Sequence, residues 1–242
     1  MQQTKRLLIN IYRNYLVYPI IIFYLNLRKP KDNEIYVFHH IPKTAGTSFN
    51  AFLKSHFILF KDYKMGWSNR IPKAICIKGF DSRVCVSGHY DFYEGCSPNI
   101  HYSDQLKGYN KKFKKIVFLR DPFDLRVSLF KYLMLNNQIP SDQSLESFLF
   151  QEVNFISKSL VCNEKNYEDV LDSYFFVGLS EYYDKSMAKL SSLLKLDYKN
   201  SKRKNVSKKR LLIDQNLKNK FKKMNLLDYK IYDYAIYKFN QS

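Results

Sequence analysis

FHHIPKTAGTSF, residues Phe38 to Phe49, joins two apolar segments of different period. Upstream, Glu34 to Phe38 is short, aromatic and β-branched, which predicts a strand buried in a sheet. Downstream, Phe49, Phe52, Leu53, His56 and Phe57 recur at helical spacing, with Thr47 or Ser48 placed to cap the helix start. The stretch therefore reads as strand, tight loop and helix N terminus. That arrangement directs backbone N–H groups and the positive end of a helix dipole above the sheet, where an anion such as a phosphate is the natural occupant. Lys43, Thr44, Thr47 and Ser48 add a cation and hydroxyls. An ATPase phosphate loop would carry its lysine after the glycine-rich turn. Here Lys43 comes first and Gly46 follows. An ordinary surface turn is the alternative reading.

Outward from this stretch, Arg83 to Ser87, Lys115 to Leu119 and Tyr174 to Val177 read as further strands. Tyr183, Met187, Leu190 and Leu194 follow the last of them at helical spacing. Strands alternating with helices predict an α/β protein with a parallel sheet covered on both faces. Lys199 to Arg210 reads as a basic loop, and LLDYKIYDYAIYKF as a closing helix with Leu227, Ile231, Tyr234 and Ala235 on one face.

Two of these strand ends carry chemistry. In FLRDPFDLRVSLFKYLM (Phe118 to Met134), Asp121 and Pro122 form an N-cap and first-turn pair, and Phe123, Val127, Phe130 and Met134 fall on one helix face. Arg120 then stands at the end of a buried strand, where open α/β sheets bind ligands. Ser128 lies about 10 Å along the helix, within reach of a long Arg side chain, so the pair could hold a second phosphate. An Arg120–Asp124 ion pair beside an ordinary helical serine is the competing reading. In VSGHYDFYEG (Val86 to Gly95), His89 stands just past a strand end with Asp91 and Glu94 close by. A neutral imidazole there could take a proton from a substrate hydroxyl. A structural role is the alternative, His40 competes for the chemical one, and His56 belongs to the first helix.

The 242 residues are 45% hydrophobic and 17% aromatic, which excludes a disordered chain and suits one domain with a substantial core. A net charge of +18 attracts nucleic acid, an anionic membrane surface, an acidic polysaccharide or a phosphate-bearing cofactor, unless it reflects a compositional bias toward Lys. Cys76, Cys85, Cys96 and Cys162 form no CxxC pair, so neither a zinc site nor thiol chemistry is indicated. Tyr15 to Leu25 is apolar apart from Pro19 and is flanked by Lys5, Arg6, Arg13, Arg28, Lys29 and Lys31. It is short for a membrane span, which needs about 20 apolar residues, and no small-residue cleavage site follows it. Residues 1–32 thus form a basic apolar segment that lies on a membrane surface, packs on the domain, or anchors the chain.

HIPKTAGTSF resembles the 5′-phosphosulfate loop, and IVFLRDPFDLRVSLF the 3′-phosphate motif, of sulfotransferases that use 3′-phosphoadenosine 5′-phosphosulfate (PAPS). The resemblance is to the branch containing heparan sulfate 2-O-sulfotransferase and bacterial carbohydrate sulfotransferases. VSGHYDFY is similar to the segment supplying the catalytic base there, and FVGLSEYYDKSMAKL and RKNVSKKR to a later helix and a nucleotide-covering loop. The resemblance implies a three-layer sandwich with a central parallel sheet, like that of P-loop nucleotide kinases, over residues 33–242. It also implies that Lys43 contacts the sulfate-bridging oxygen while Thr44, Ala45, Gly46, Thr47 and Ser48 wrap the 5′-phosphate. Arg120 and Ser128 would hold the 3′-phosphate, and Arg203, Lys204 and Asn205 would lie over the adenosine. His89 would be the general base, with Asp91 and Glu94 as rivals. PAPS as donor, no metal, no nucleic acid and a hydroxyl-bearing acceptor, a carbohydrate by preference, complete the expectation. The setting is the cytoplasm, with membrane association, or the Golgi membrane in an animal. A nucleotide or small-molecule kinase and a non-catalytic polyanion-binding protein are the competing functions.

Overall fold

The β-branched and aromatic runs do form strands, and their alternating side chains build two separate cores. The computed structural model describes residues 34–62, 84–89, 112–198 and 214–241, together with Tyr12, Leu16 and Ile20. Among them are β1 (Glu34–His39), β2 (Ile58–Asp62), β3 (Val84–Gly88), β4 (Lys112–Leu119) and β5 (Phe176–Leu179). They form one sheet in the order β2-β3-β1-β4-β5, and every neighbouring pair is parallel. The helices are α1 (Gly46–His56), α2 (Pro122–Leu135), α3 (Leu145–Gln151), α4 (Phe155–Leu160), α5 (Tyr167–Asp172), α6 (Tyr183–Leu194), α7 (Gln215–Met224) and α8 (Leu226–Gln241).

Tyr36, Phe38, Ile116, Phe118 and Phe176 turn to one face and pack with α1 and α6. Val117, Leu119 and Leu179, the intervening positions, turn to the other and pack with α2, α3, α4, α5 and α8. Helices thus cover both faces, and the architecture is the expected three-layer α/β sandwich. Phe118 is fully buried, and its cross-strand partner is Gly178. A Cβ at Gly178 would meet the Phe118 ring at 2.5 Å, so the glycine makes room for it.

Several expectations shift. The last strand begins at Phe176 rather than Tyr174, because Tyr174 N donates to Leu171 O in the turn after α5. β4 begins at Lys112, three residues before the apolar run, because Glu34 of β1 pairs with Lys112. β2, which no sequence reading anticipated, immediately follows α1 as the edge strand. Neither Thr47 nor Ser48 caps α1. The helix starts at Gly46 and its N-cap is Ala45, which makes no side-chain capping bond. α2 buries Leu125, Arg126 and Leu129 as well as Phe123 and Val127, because α3, α7 and α8 surround it. The closing helix forms as expected, with Ile231 and Ala235 buried and Leu227 and Tyr234 half-buried.

Two buried charges tie the lower layer together. Arg126 pairs with Glu152 at 3.1 Å and donates to Phe148 O, while its guanidinium lies over the Phe148 and Phe155 rings. Asp228 of α8 accepts from Ile156 N and Ser157 N at 2.9 and 2.8 Å, capping α4 across 72 residues of chain. Burial nevertheless pushes its carboxyl up to about 6.

Residues 1–32, apart from Tyr12, Leu16 and Ile20, lie outside the described residues, as do Asp91, Glu94, Cys76, Cys96 and the basic loop 199–213. Among the described residues no helix is long and apolar enough to cross a membrane.

Candidate active site

β1 and β4 are adjacent, yet the helices that follow them leave on opposite faces of the sheet. This is where an open parallel sheet has a crevice beyond its carboxyl ends. The turns after both strands line it. From the β1 side comes the loop His40–Ala45, and from the β4 side comes Arg120.

The loop is shaped by its backbone more than by its hydroxyls. Lys43 and Ala45 adopt left-handed conformations, at φ 67° and 64°. A non-glycine residue there costs about 1–2 kcal/mol, so the surrounding contacts must hold it. Thr44 is fully buried and its Oγ1 donates to Ile41 O at 2.7 Å, which turns that hydroxyl into the loop. Ser48 N and Phe49 N both donate to Ala45 O, opening the helix. The amides of Gly46 and Thr47, at the start of α1, have no intrahelical acceptor, as at any helix N terminus. Thr47 is exposed and Ser48 half-buried.

Lys43 and Arg120 meet across the crevice. Arg120 Nη1 donates to Lys43 O at 3.2 Å. The Lys43 ammonium lies 4.5 Å from the centre of the Tyr132 ring on α2. Burial, and then the neighbouring Arg120 charge, lower its pKa from the ordinary lysine value. Two cations held this close favour an anion between them. Ser128 is half-buried two turns into α2, and no hydrogen bond joins it to Arg120. No Arg120–Asp124 ion pair forms; Asp124 N instead donates to the Asp121 carboxylate at 3.0 Å, which caps α2 as expected.

His89 enters from the end of β3, which pairs with the other edge of β1. His40 N donates to Gly88 O at 2.9 Å, which brings the two turns side by side. His89 Nδ1 bonds His40 O. A carbonyl only accepts, so Nδ1 carries the proton and Nε2 of the neutral ring keeps its lone pair. Burial lowers the His89 pKa, outweighing the hydrogen bond to His40 and acting with the His39 ring beyond it. The His89 ring stacks on His40 at 4.5 Å between centres, and His40 stacks on Phe38 at 5.2 Å. Gly46 completes this stack from below, since a Cβ there would run into the His40 imidazole. His40 is thus the piece through which His89 touches the Lys43 loop.

Sequence reasoning singled out His40 only as a competitor of His89 and missed Tyr132. The one signal for Tyr132 is an aromatic at the exposed end of the helix that Arg120 precedes. The thiols of Cys85 and Cys162 are pushed up by burial, that of Cys162 to about 12, so neither is a nucleophile at neutral pH. Among the described residues no group of three or more His, Cys, Asp or Glu side chains is placed to hold a metal ion. Arg203, Lys204 and Asn205 lie outside the described residues.

No protein-family model matches the chain, and no curated protein sequence matches it either. Solved structures do. A sulfotransferase from Alicyclobacillus acidocaldarius is similar over 87% of this chain and 96% of its own, with 15% identity and a TM-score of 0.49. Mouse sulfotransferase SULT7A1 complexed with PAP is similar over 86% of this chain and 70% of its own, with 16% identity and a TM-score of 0.41.

Proposed function

We propose that this chain transfers a sulfuryl group from PAPS to a hydroxyl of an acceptor, with a carbohydrate as the preferred class. The observation that carries the reading is the meeting of Lys43 and Arg120, 77 residues apart in sequence, at the crevice between β1 and β4. Together with the resemblance of both turns to phosphosulfate and 3′-phosphate motifs, it supports a bisphosphate nucleotide lying across the two. Lys43 and the loop Thr44–Ser48 take the 5′ end, and Arg120 and Ser128 take the 3′-phosphate. Arg203, Lys204 and Asn205 cover the adenosine.

In the reaction the acceptor oxygen forms a bond to sulfur as the bond from sulfur to the 5′-phosphate oxygen breaks. His89 Nε2 takes the hydroxyl proton, and adenosine 3′,5′-bisphosphate leaves. Charge grows on the departing phosphate oxygen, where the Lys43 ammonium and the first amides of α1 stabilise it more than in the ground state. The Nδ1 bond to His40 O presets the base tautomer, and the lowered pKa keeps the ring neutral near pH 7.

The net charge of +18 suits an acidic or already sulfated acceptor. The cytoplasm is the proposed setting, with residues 1–32 lying on a membrane surface. Tyr12, Leu16 and Ile20, spaced by four and exposed, suit such a segment.

Calorimetric titration with adenosine 3′,5′-bisphosphate tests the donor site. Micromolar, metal-independent binding, weakened about tenfold or more by Lys43→Ala and by Arg120→Ala, is expected. Binding of ATP with Mg²⁺ in its place would overturn the reading in favour of a kinase.

A further inference from the structure

The two peptide groups flanking Arg120 are both held from the end of β5. Ser180 N donates to Leu119 O at 2.8 Å, and Asp121 N donates to Glu181 Oε1 at 3.0 Å. From the opposite side the Arg120 guanidinium reaches Lys43 O. Arg120 is therefore suspended in a turn whose backbone is fixed on both sides by Ser180 and Glu181.

We infer that Glu181, just past the end of β5, is a positioning residue for Arg120, and that the β5 end thereby sets the geometry of the 3′-phosphate subsite. The inference rests on the donor reading of Arg120 given above. A carboxylate beside an anion-binding crevice opposes the anion unless its lone pairs are already engaged. The Asp121 amide engages Glu181 Oε1, and that bond is charge-assisted and so stronger than a neutral one. The division of labour at Asp121 is then plain. Its side chain caps α2 through Asp124 N, while its N–H, bound to Glu181, orients the peptide that carries Arg120. A guanidinium must be held within about half an ångström of its productive place to bind phosphate oxygens bidentately, so a loose turn loses affinity without losing the arginine.

Two readouts on the full chain test this. The first is hydrogen exchange at the Asp121 amide without ligand, in wild type, Glu181→Ala and Glu181→Gln. Exchange should rise about tenfold or more in Glu181→Ala and return most of the way in Glu181→Gln, which keeps an acceptor oxygen. The second is calorimetric affinity for adenosine 3′,5′-bisphosphate. Glu181→Ala should weaken it about tenfold, Glu181→Gln less, and Glu181→Ala combined with Arg120→Ala no more than Arg120→Ala alone. Unchanged exchange at Asp121, or losses that multiply in the double variant, would overturn the inference. Absence of bisphosphate binding by wild type would sink the donor reading instead, and the exchange readout would still decide whether Glu181 holds the turn.

Discussion

The turn after β4 and the turn after β1 face each other across one crevice and are built on opposite local rules. After β4, Asp121 caps the helix with its carboxylate and Pro122 opens it, as helix-start chemistry prescribes. After β1, the helix opens on a left-handed alanine with no side-chain cap, Lys43 is left-handed as well, and the one glycine serves a neighbouring imidazole. The first turn obeys local capping rules and presents Arg120 between peptide groups held by Ser180 and Glu181. The second is strained and is held by His40, Phe38 and the β3 end, which joins the Lys43 loop to His89. Strain gathers on the side where bonds are proposed to break, and regular capping on the side that only grips.

The largest test of that division is the proposed base, His89. His89→Ala should lower turnover of PAPS with a working acceptor by about a hundredfold or more, read as bisphosphate release. Because burial lowers the His89 pKa below its usual value of about 6.5, activity should be level at pH 7 and fall on the acid side of that value. The sign for stability agrees. The unfolded chain binds the proton first as pH falls through about 6.5, so the contribution of neutral His89 is lost on acidification.

Next comes the stack. Gly46→Ala should cost about 1–3 kcal/mol in urea unfolding and displace His40, since that ring, clasped between Phe38 and His89, has little room to yield. If Gly46→Ala were neutral, the strained turn would owe nothing to His40. Asp121→Ala removes an ordinary cap and should cost about 1 kcal/mol in the same measurement. The smallest effect has the opposite sign. Ala45→Gly relieves a left-handed residue at φ 64° and should leave stability unchanged or raise it by up to about 1 kcal/mol. A marked loss there would show the two turns to be alike after all.

Legibility in the sequence follows the same division. The Asp121–Pro122 start, the strand before it and the buried positions Tyr183, Met187, Leu190 and Leu194 were readable because they obey local periodicity and capping. The charged beginning of β4 was hidden, since Lys112 to Lys115 take strand form only by pairing with β1. β2 was hidden because an edge strand of five residues following directly on a helix has no turn signal before it. The cap of α1 was misplaced because Thr47 and Ser48 satisfy the usual rule, whereas left-handed Ala45 caps the helix two residues before Thr47.

By itself the sequence determined the strand–loop–helix units, the parallel α/β class and the residue types at each strand end, because period and cap chemistry act over a few neighbouring residues. Tertiary structure alone decided that Lys43 and Arg120 share a crevice, that His89 reaches the loop through His40, and that Ser180 and Glu181 brace the arginine turn. These contacts join residues from 49 to 77 positions apart, and in the case of Asp121 and Glu181 60 apart. Only the strand order of the sheet and the faces chosen by its crossing helices bring them together, and no local pattern encodes either.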